Sequence, residues 1–181
     1  MKAHLLSYGK ERLEQTGKKY VVNGEEIKAR KKTNNKWFET QDSISYWEDF
    51  NKPKIVYPNM TKYLPFVYDN KCHLTNQKCF IVTGENVAFL TVFFNSSLFK
   101  FCFRDSFPEL LGGTRELSKI FFEKIPVKKI DDTTNKHFEV ALLDIQQEYT
   151  KLKAIAIDTM IFNLYGLSEE ERGIIGFVEI E

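Results

Sequence analysis

The sequence lacks the features that mark membrane-spanning and secreted proteins. No apolar run approaches the length of about 18 residues that a transmembrane helix requires. The N-terminal stretch lacks the hydrophobic centre of a signal peptide. The chain holds three cysteines, an odd number at irregular spacing, which argues for reduced thiols rather than a disulfide framework. These absences predict a soluble, cytoplasmic protein that has no membrane partner.

Motifs for the common kinds of catalysis are missing as well. The sequence has no P-loop, no zincin helix and no Ser/His/Asp set, and it lacks the glycine loop and the Asn/Asp-Pro-Pro-aromatic motif that a methyltransferase requires. Cys72, His73 and Cys79 are too few for a structural zinc site, whose tetrahedral geometry needs a further ligand nearby. We therefore predict a chain that is not itself an enzyme and holds no metal or cofactor.

Apolar and aromatic residues are plentiful enough for one core. Of 181 residues, 43% are hydrophobic and 14% aromatic, and sixteen are phenylalanines. A chain of this length buries one sizeable core, and two independent domains are not expected. The phenylalanines predict a core built largely from aromatic rings.

Charge is balanced overall and polarised along the chain. The net charge is +1, yet residues 1–36 hold ten Lys/Arg against four Asp/Glu, whereas residues 105–181 hold nine against fifteen. A basic face directed towards DNA would produce this pattern. Solvated basic and acidic segments without any partner would produce it too, and the sequence leaves both interpretations open.

The apolar patterns predict an α+β fold, in which a small sheet packs on a buried helix and a C-terminal helical arm follows. Asn23-Gly24 favours a two-residue hairpin, because these residues accept the positive φ angles that such a turn needs. Three further runs of β-branched and aromatic residues predict strands at 54–57, 66–68 and 79–83.

Two long helices are predicted downstream of these strands. Residues 87–103 are apolar on nearly all sides, which is typical of one buried helix, and the polar triplet 95–97 inside it is expected to hold neighbouring strands. An apolar seam from Phe138 to Ala156, in steps of three and four residues, predicts one continuous helix. Gly166 should end that helix, and Ser168 with Glu171 should form a capping box for the last one.

The most basic stretch of the chain is residues 28–36, with five positive charges in nine residues. A loop of this kind can lie along a phosphate backbone, where each neutralised phosphate releases counterions. Lys31, Lys32 and Lys36 are the candidate phosphate contacts. The same residues would suit a solvent-facing linker.

A second stretch, residues 52–69, mixes basic, aromatic and amide side chains. Lys62 is a candidate phosphate contact, and Lys54, Tyr57 and Asn59 are candidates for base or groove contact. The alternative is a half-buried hairpin with solvated lysines.

A glycine-rich turn farther along the chain supplies the last candidate. Gly112-Gly113 predicts the turn, and Thr114 should then cap a short helix that runs through Phe122. Arg115 is a candidate groove contact at the start of that helix. The alternative is that these residues only form a turn and contact no ligand.

Seven short motifs occur in series across residues 36–126. They are Lys36-Trp37-Phe38-Glu39, Tyr46-Trp47-Glu48-Asp49-Phe50, Lys52-Pro53-Lys54-Ile55, Asp69, Phe94-Asn95-Ser96-Ser97-Leu98, Gly112-Gly113 and Lys124-Ile125-Pro126. In this order they resemble the TaqI-like C-terminal specificity domain of bifunctional (type IIG) restriction-modification enzymes and their methyltransferase relatives. The segment 157–171 is similar to the helical end of such enzymes.

The resemblance implies a target-recognition domain for double-stranded DNA over residues 1–130, with residues 131–181 as the helical arm. It would present DNA to an adenine methyltransferase and endonuclease body, joined as a domain or supplied as a subunit. That parent enzyme would use S-adenosylmethionine and Mg²⁺.

Two other function classes remain open. A protein-interaction module would use the apolar seam from Phe138 and the acidic C-terminal part of the chain for assembly. A small metal-dependent nuclease would place Asp49 and Asp69 on the metal and Lys71 on the attacked phosphate.

Overall fold

A computed structural model of the chain describes residues 2–42 and 45–177. The chain divides into two compact units, Met1–Tyr46 and Trp47–Glu181. Both helices and strands are present, in small sheets with helices packed on them, so the predicted α+β class is confirmed.

The first unit is built on a β-hairpin that follows two short helices. Helices α1 (Lys2–Leu6) and α2 (Lys10–Leu13) precede strands β1 (Lys19–Val22) and β2 (Glu25–Lys28), which pair antiparallel. The turn between the strands has φ of 51° at Asn23 and 83° at Gly24. The predicted hairpin is therefore confirmed, since both turn residues adopt the left-handed conformation, which glycine accepts because it has no Cβ and which asparagine tolerates better than most residues.

A three-stranded antiparallel sheet forms the frame of the second unit. Its strands are β3 (Lys54–Pro58), β5 (Val67–Asp69) and β6 (Cys79–Thr83), in the order β5-β3-β6. All three predicted strands are confirmed. Ile55 on the central strand is fully buried, because the sheet packs one face against a core of aromatic rings.

The edge strand β5 is covered by a side chain from a distant helix. The Tyr68 N–H donates to Gln146 Oε1 at 3.0 Å, and Gln146 Nε2 donates to the Tyr68 carbonyl at 3.0 Å. The amide thus makes the pair of hydrogen bonds that a further strand would make, which leaves this part of the edge satisfied.

A two-stranded ribbon pairs a short strand that lies between β3 and β5 in the sequence with one that follows β6. Strands β4 (Met60–Thr61) and β7 (Arg115–Glu116) pair antiparallel, with Thr61 opposite Arg115, and the short helix α5 (Lys119–Phe122) follows. The prediction that Thr114 begins this helix is wrong, because residues 115–117 are held extended. The Leu117 N–H donates to the Asn59 carbonyl at 2.9 Å.

The predicted helix at 87–103 is two helices, α3 (Val87–Asn95) and α4 (Ser97–Phe103). Ser96 starts α4 by accepting a hydrogen bond from the Phe99 N–H, and Asp158 accepts one from the Ser97 N–H at 2.9 Å. Capping by Ser96 and Asp158 stabilises a new helix start, so the chain bends by 68° at this point.

Within the described residues no single helix is long and apolar enough to span a membrane, although the bent pair 87–95 and 97–106 together passes a test of length and composition.

The C-terminal part comprises three helices, α6 (Asp132–Gln147), α7 (Lys151–Tyr165) and α8 (Glu169–Ile175). The single helix predicted from the apolar seam is therefore wrong, since Thr150 accepts a hydrogen bond from the Lys153 N–H and starts a new helix. The end of α7 at Gly166 and the capping box of α8 are confirmed.

These helices share the aromatic core of the second unit. The buried side chains Phe138 and Leu142 of α6 and Ile161 and Phe162 of α7 belong to the same cluster as the rings of α3 and α4. The Asn95 side chain donates to the carbonyl of Phe66, the residue before β5, at 2.7 Å and accepts from its N–H at 3.2 Å, so the predicted role of holding a neighbouring strand is confirmed for Asn95. It is wrong for Ser96 and Ser97, which form the start of α4. The predicted boundary at residue 130 stays a prediction.

Candidate nucleic-acid interface

The basic loop of the first unit, residues 29–40, is organised by one buried amide. Gln15 is 4% exposed, and its Nε2 donates to the carbonyls of Lys36 at 2.9 Å and Glu39 at 3.0 Å. The Thr33 hydroxyl donates to Gln15 Oε1 at 2.5 Å. Because one side chain contacts the loop at Thr33, Lys36, Glu39 and Thr40, the loop has a defined conformation. We did not identify Gln15 from the sequence, where a lone polar residue after a short helix carries no signal.

Arg30 stabilises the same loop, and its guanidinium is not open to a ligand. Its guanidinium donates to the carbonyls of Leu13 at 2.8 Å, Trp37 at 2.6 Å and Glu39 at 3.1 Å. These bonds occupy the planar fork that would otherwise suit a phosphate. Arg30 therefore contributes positive charge to the loop without being available for a direct contact.

The lysines of the loop are exposed. Lys31, Lys32 and Lys36 all have exposed side chains, and within the described part of the chain no carboxylate forms an ion pair with them. Lys36 Nζ lies 5.8 Å from the centroid of the Phe38 ring. Their assignment as phosphate contacts stays a prediction, and the structure supplies what it requires, which is free ammonium groups on a braced loop.

Replacing the organising amide should release the loop. In Gln15→Leu the carbonyls of Lys36 and Glu39 lose their donor, so we expect a loss of about 1–3 kcal/mol in the free energy of unfolding. Urea denaturation measures this loss, and hydrogen exchange of the Thr33 amide, which donates to the Gln15 carbonyl, reports the loop directly. The matched control is Gln147→Leu at an exposed position. Equal exchange rates for the Thr33 amide in parent and variant would contradict the role given to Gln15.

Lys54 does not face solvent, and its assignment as a base contact is wrong for this conformation. Its side chain is 0% exposed, and Nζ lies 2.6 Å from Asp69 Oδ2 and donates to the Phe50 carbonyl at 2.9 Å. The amine therefore joins the central strand, the edge strand and the 3-10 helix (Trp47–Asn51) before them. Two residues of the quoted motifs, Lys54 and Asp69, thus form a buried ion pair.

Asp69 accepts hydrogen bonds from several donors besides Lys54. Its oxygens accept from the backbone N–H groups of Lys71 at 2.8 Å and His73 at 3.0 Å, and the His73 ring nitrogen lies at 2.9 Å. Burial alone would raise the pKa of the Asp69 carboxyl, but the bonds from Lys54, Lys71 and His73 outweigh it and hold the pKa well below 3.8. A carboxylate so fully engaged is unsuited to a catalytic metal.

Tyr57 is likewise part of the core, and its assignment as a groove contact is wrong for this conformation. It is 5% exposed, and its ring centroid lies 5.1 Å from that of Phe122 and 5.6 Å from those of Phe66 and Phe80. Burial raises the pKa of its hydroxyl to about 12. The ring supports the sheet from beneath and has no surface for a base.

Arg115 is also buried, at 8% exposed, so it is not a direct groove contact here. Its guanidinium donates to the Phe107 carbonyl and to Asp105 Oδ1, both at 2.8 Å, and to Glu109 Oε2 at 3.3 Å. It acts as a clamp across the two legs of a hairpin. The sequence placed Arg115 beside a turn correctly but did not reveal the carboxylates that engage it.

Asn59 and Lys62 differ in how far their side chains are open to contact with DNA. Asn59 is half-buried, and its Oδ1 is a buried atom without a hydrogen-bond partner among the described residues. Lys62 is exposed, and its Nζ lies 5.8 Å from the centroid of the exposed Tyr63 ring. Both stay predictions, with Lys62 the stronger because its ammonium group is open to solvent.

A cavity of about 260 Å³ lies at the bend between α3 and α4, and its polar groups serve the fold. Asp158, which is 2% exposed, accepts from the Ser97 N–H and hydroxyl, and Asn95 is engaged with Phe66. Burial lowers the pKa of the Lys100 ammonium on the cavity wall. Elsewhere in the described residues, no group of three or more His, Cys, Asp or Glu side chains is placed to hold a metal ion.

Comparison with known proteins identifies the family. The family model described as the TaqI-like C-terminal specificity domain matches residues 9–127, which is more than half of the chain. A search of curated proteins gave no match. The matched region ends before α6, so the similarity expected for residues 157–171 stays a prediction. The match includes the basic loop, the sheet and the ribbon, and the chain therefore belongs to the family of TaqI-like C-terminal specificity domains.

Proposed function

We propose that this chain is a sequence-specific recognition domain for double-stranded DNA in a bifunctional, type IIG restriction-modification enzyme. It would position target DNA for an adenine methyltransferase and endonuclease body, supplied as a linked domain or a separate subunit. The observation that carries the proposal is the family match over residues 9–127. The parent enzyme would act in the cytoplasm and would use S-adenosylmethionine and Mg²⁺ in that body.

The geometry supports a binding role in both units. The first unit holds Lys31, Lys32 and Lys36 exposed on a loop braced by Gln15, and the second unit exposes Lys62. Lysines of this kind neutralise phosphates and fix the position of a protein on the duplex without reading sequence. Sequence reading then requires further side chains that reach the base edges.

The nuclease alternative loses its support. Asp69 would have to bind a metal, yet it is 7% exposed and engaged by Lys54, Lys71 and His73. Asp49 pairs with Lys52 at 2.6 Å. We therefore propose a non-catalytic role for this chain.

The protein-interaction alternative is weakened in part. Phe138 and Leu142, the first members of the seam, are buried in the core of the second unit and cannot bind a partner. Leu152 and Val140 remain exposed at 79% and 64%. Contacts through those residues suit attachment to a methyltransferase body, which is compatible with the DNA-recognition proposal.

A salt titration of duplex-DNA binding tests the proposal. We expect log K for a mixed-sequence duplex to fall by about 0.9 per contacted phosphate for each tenfold rise in salt, so four lysine contacts predict a slope of about −3.6. Selection from a pool of randomised duplexes should in addition enrich one short sequence. Binding that is absent or independent of salt, together with no enriched sequence, would contradict a recognition role and favour the interaction module.

A further inference from the structure

Two exposed apolar side chains lie at one end of the β4–β7 ribbon. Leu111 is 98% exposed and Tyr63 is 76% exposed. Because Thr61 pairs antiparallel with Arg115, the chain leaves β4 towards Tyr63 and enters β7 from Leu111 at the same end of the ribbon. Exposed side chains of this size carry apolar surface that no contact in the fold buries.

The segment that carries Leu111 is a braced hairpin. Glu109 and Arg115 form an isolated antiparallel bridge, and the Leu110 N–H donates to the Thr114 carbonyl at 2.7 Å. The turn is completed by Gly112 and Gly113, with φ of 79° and 76°. Only glycine adopts this conformation readily, so the two glycines allow a tight tip that projects Leu111 outwards.

Arg115 holds the base of this hairpin rigid. Its bonds to the Phe107 carbonyl, Asp105 and Glu109 connect the incoming leg to the outgoing one. A side chain on a braced tip loses less conformational entropy on binding than one on a mobile loop, which favours its use as a contact.

Tyr63 is displayed by a similar arrangement. Leu64 next to it adopts φ of 51°, a conformation that a bulky residue rarely takes, and its side chain is 3% exposed. Burial of Leu64 therefore fixes the backbone in a form that turns Tyr63 outwards. Lys62 adds one exposed ammonium group beside the ring.

The charges around the tip favour bases over phosphates as its contact. Asp105 and Glu109 are paired with Arg115, and Lys62 carries an exposed ammonium group beside Tyr63. The tip is apolar and nearly neutral, and it has a cation beside it. Some DNA-binding proteins insert an apolar side chain of this kind between base steps as a wedge, while a neighbouring lysine contacts the backbone.

We propose that Leu111 inserts between base pairs of the bound duplex and that Tyr63 stacks on an unstacked base next to it. This inference rests on the proposed function and names the side chains that act on the bases. It assigns Arg115 a positioning role, since Arg115 holds the hairpin without touching DNA.

The test uses Leu111→Ala and Tyr63→Ala in the full chain, with Leu152→Ala as the matched control because that leucine is 79% exposed on α7 of the same unit. The probe is a mixed-sequence duplex, or the enriched sequence, with 2-aminopurine placed at successive positions. The parent should raise the fluorescence at one step, and each tip variant should lose that signal and bind roughly tenfold to a hundredfold more weakly. The salt slope should stay unchanged, because no phosphate contact is removed.

The outcomes separate this inference from the function on which it rests. Tip variants that bind and report like the parent, while the parent keeps its steep salt dependence, would overturn the wedge and leave DNA recognition in place. A parent that binds no duplex at all would overturn both. Weaker binding in Leu152→Ala of the same size as in Leu111→Ala would also overturn the wedge.

Discussion

Replacement of Lys54 by methionine is expected to lower the free energy of unfolding by about 3–5 kcal/mol. The change keeps the length and apolar stem of the side chain but leaves the Asp69 carboxylate, 7% exposed, without the ammonium group that lies 2.6 Å from it. It also removes the hydrogen bond from Lys54 Nζ to the Phe50 carbonyl. Urea denaturation at neutral pH measures the loss.

A second substitution shows whether the loss of stability in Lys54→Met comes from the unpaired Asp69 carboxylate. Asn at position 69 is neutral and keeps one acceptor for the Lys71 N–H, so Lys54→Met/Asp69→Asn should recover at least about 1 kcal/mol relative to Lys54→Met. Lys52→Met, two residues away with an exposed side chain, is the matched control and should cost far less than Lys54→Met, because solvent screens its ion pair with Asp49. Equal losses in Lys52→Met and Lys54→Met would contradict a buried ion pair.

The pH dependence of stability gives an independent measure of the same pair. The folded pKa of Asp69 lies below its unfolded value near 3.8, so its contribution is present above that value and is lost as pH falls from there towards the folded pKa. The parent should therefore lose stability between about pH 5 and pH 2, and Asp69→Asn should lose less over the same range.

Removal of the three loop lysines should have the largest effect on DNA affinity. In Lys31→Ala/Lys32→Ala/Lys36→Ala, the loss of three phosphate contacts should reduce the salt slope by about 2.7, which corresponds to roughly 500-fold weaker binding at about 0.1 M salt. The three side chains are exposed and form no ion pair within the described residues, so the variant should stay close to the parent in stability. Fluorescence anisotropy of a labelled duplex across salt concentrations measures both quantities.

The control for this variant carries the same change in charge at other exposed positions. Lys119, Lys136 and Lys151 are exposed in the acidic C-terminal part of the chain. Their replacement by alanine should leave the salt slope near that of the parent. A similar fall in affinity for both triple variants would mean that net charge alone governs binding and that the loop has no particular role.

Local signals in the sequence predicted local structure well. The hairpin at Asn23-Gly24, the strands of the sheet and the capping box at Ser168 and Glu171 depend on residues that are near one another in the chain. Each rests on backbone preferences that a few neighbouring side chains determine. These elements were predictable for that reason.

The errors arose where a distant residue decides the outcome. The run from Val87 to Phe103 has the composition of one helix, but Asp158, which is 61 residues after Ser97, caps a second helix start inside it. The seam from Phe138 likewise keeps its periodicity across the break at Thr150, so periodicity alone did not reveal two helices.

In the candidate site, too, the sequence did not reveal contacts with residues distant in the chain. Lys54 and Arg115 are cations, and the sequence alone does not say whether a cation faces solvent or a buried carboxylate. Lys54 forms an ion pair with Asp69 on the neighbouring strand, and Arg115 forms ion pairs with Asp105 and Glu109 across a hairpin. Of the quoted motif residues, Lys54, Asp69, Asn95 and Ser97 thus build the frame. The exposed lysines outside that frame remain the candidates for contact with DNA.

The bonding pattern of Gln15 has a consequence for redesign. At Lys36 and Glu39 it engages main-chain carbonyls, and Arg30 likewise engages main-chain carbonyls, so the conformation of the loop depends little on the outward side chains at positions 31, 32 and 36. The contact of Lys36 with the Phe38 ring is the one such interaction that the structure shows among the described residues. The side chains at those positions can therefore be replaced while the backbone of the loop keeps its conformation. Libraries randomised there should yield folded members that differ in affinity for the phosphate backbone, which makes this short segment a practical starting point for tuning the strength of DNA binding.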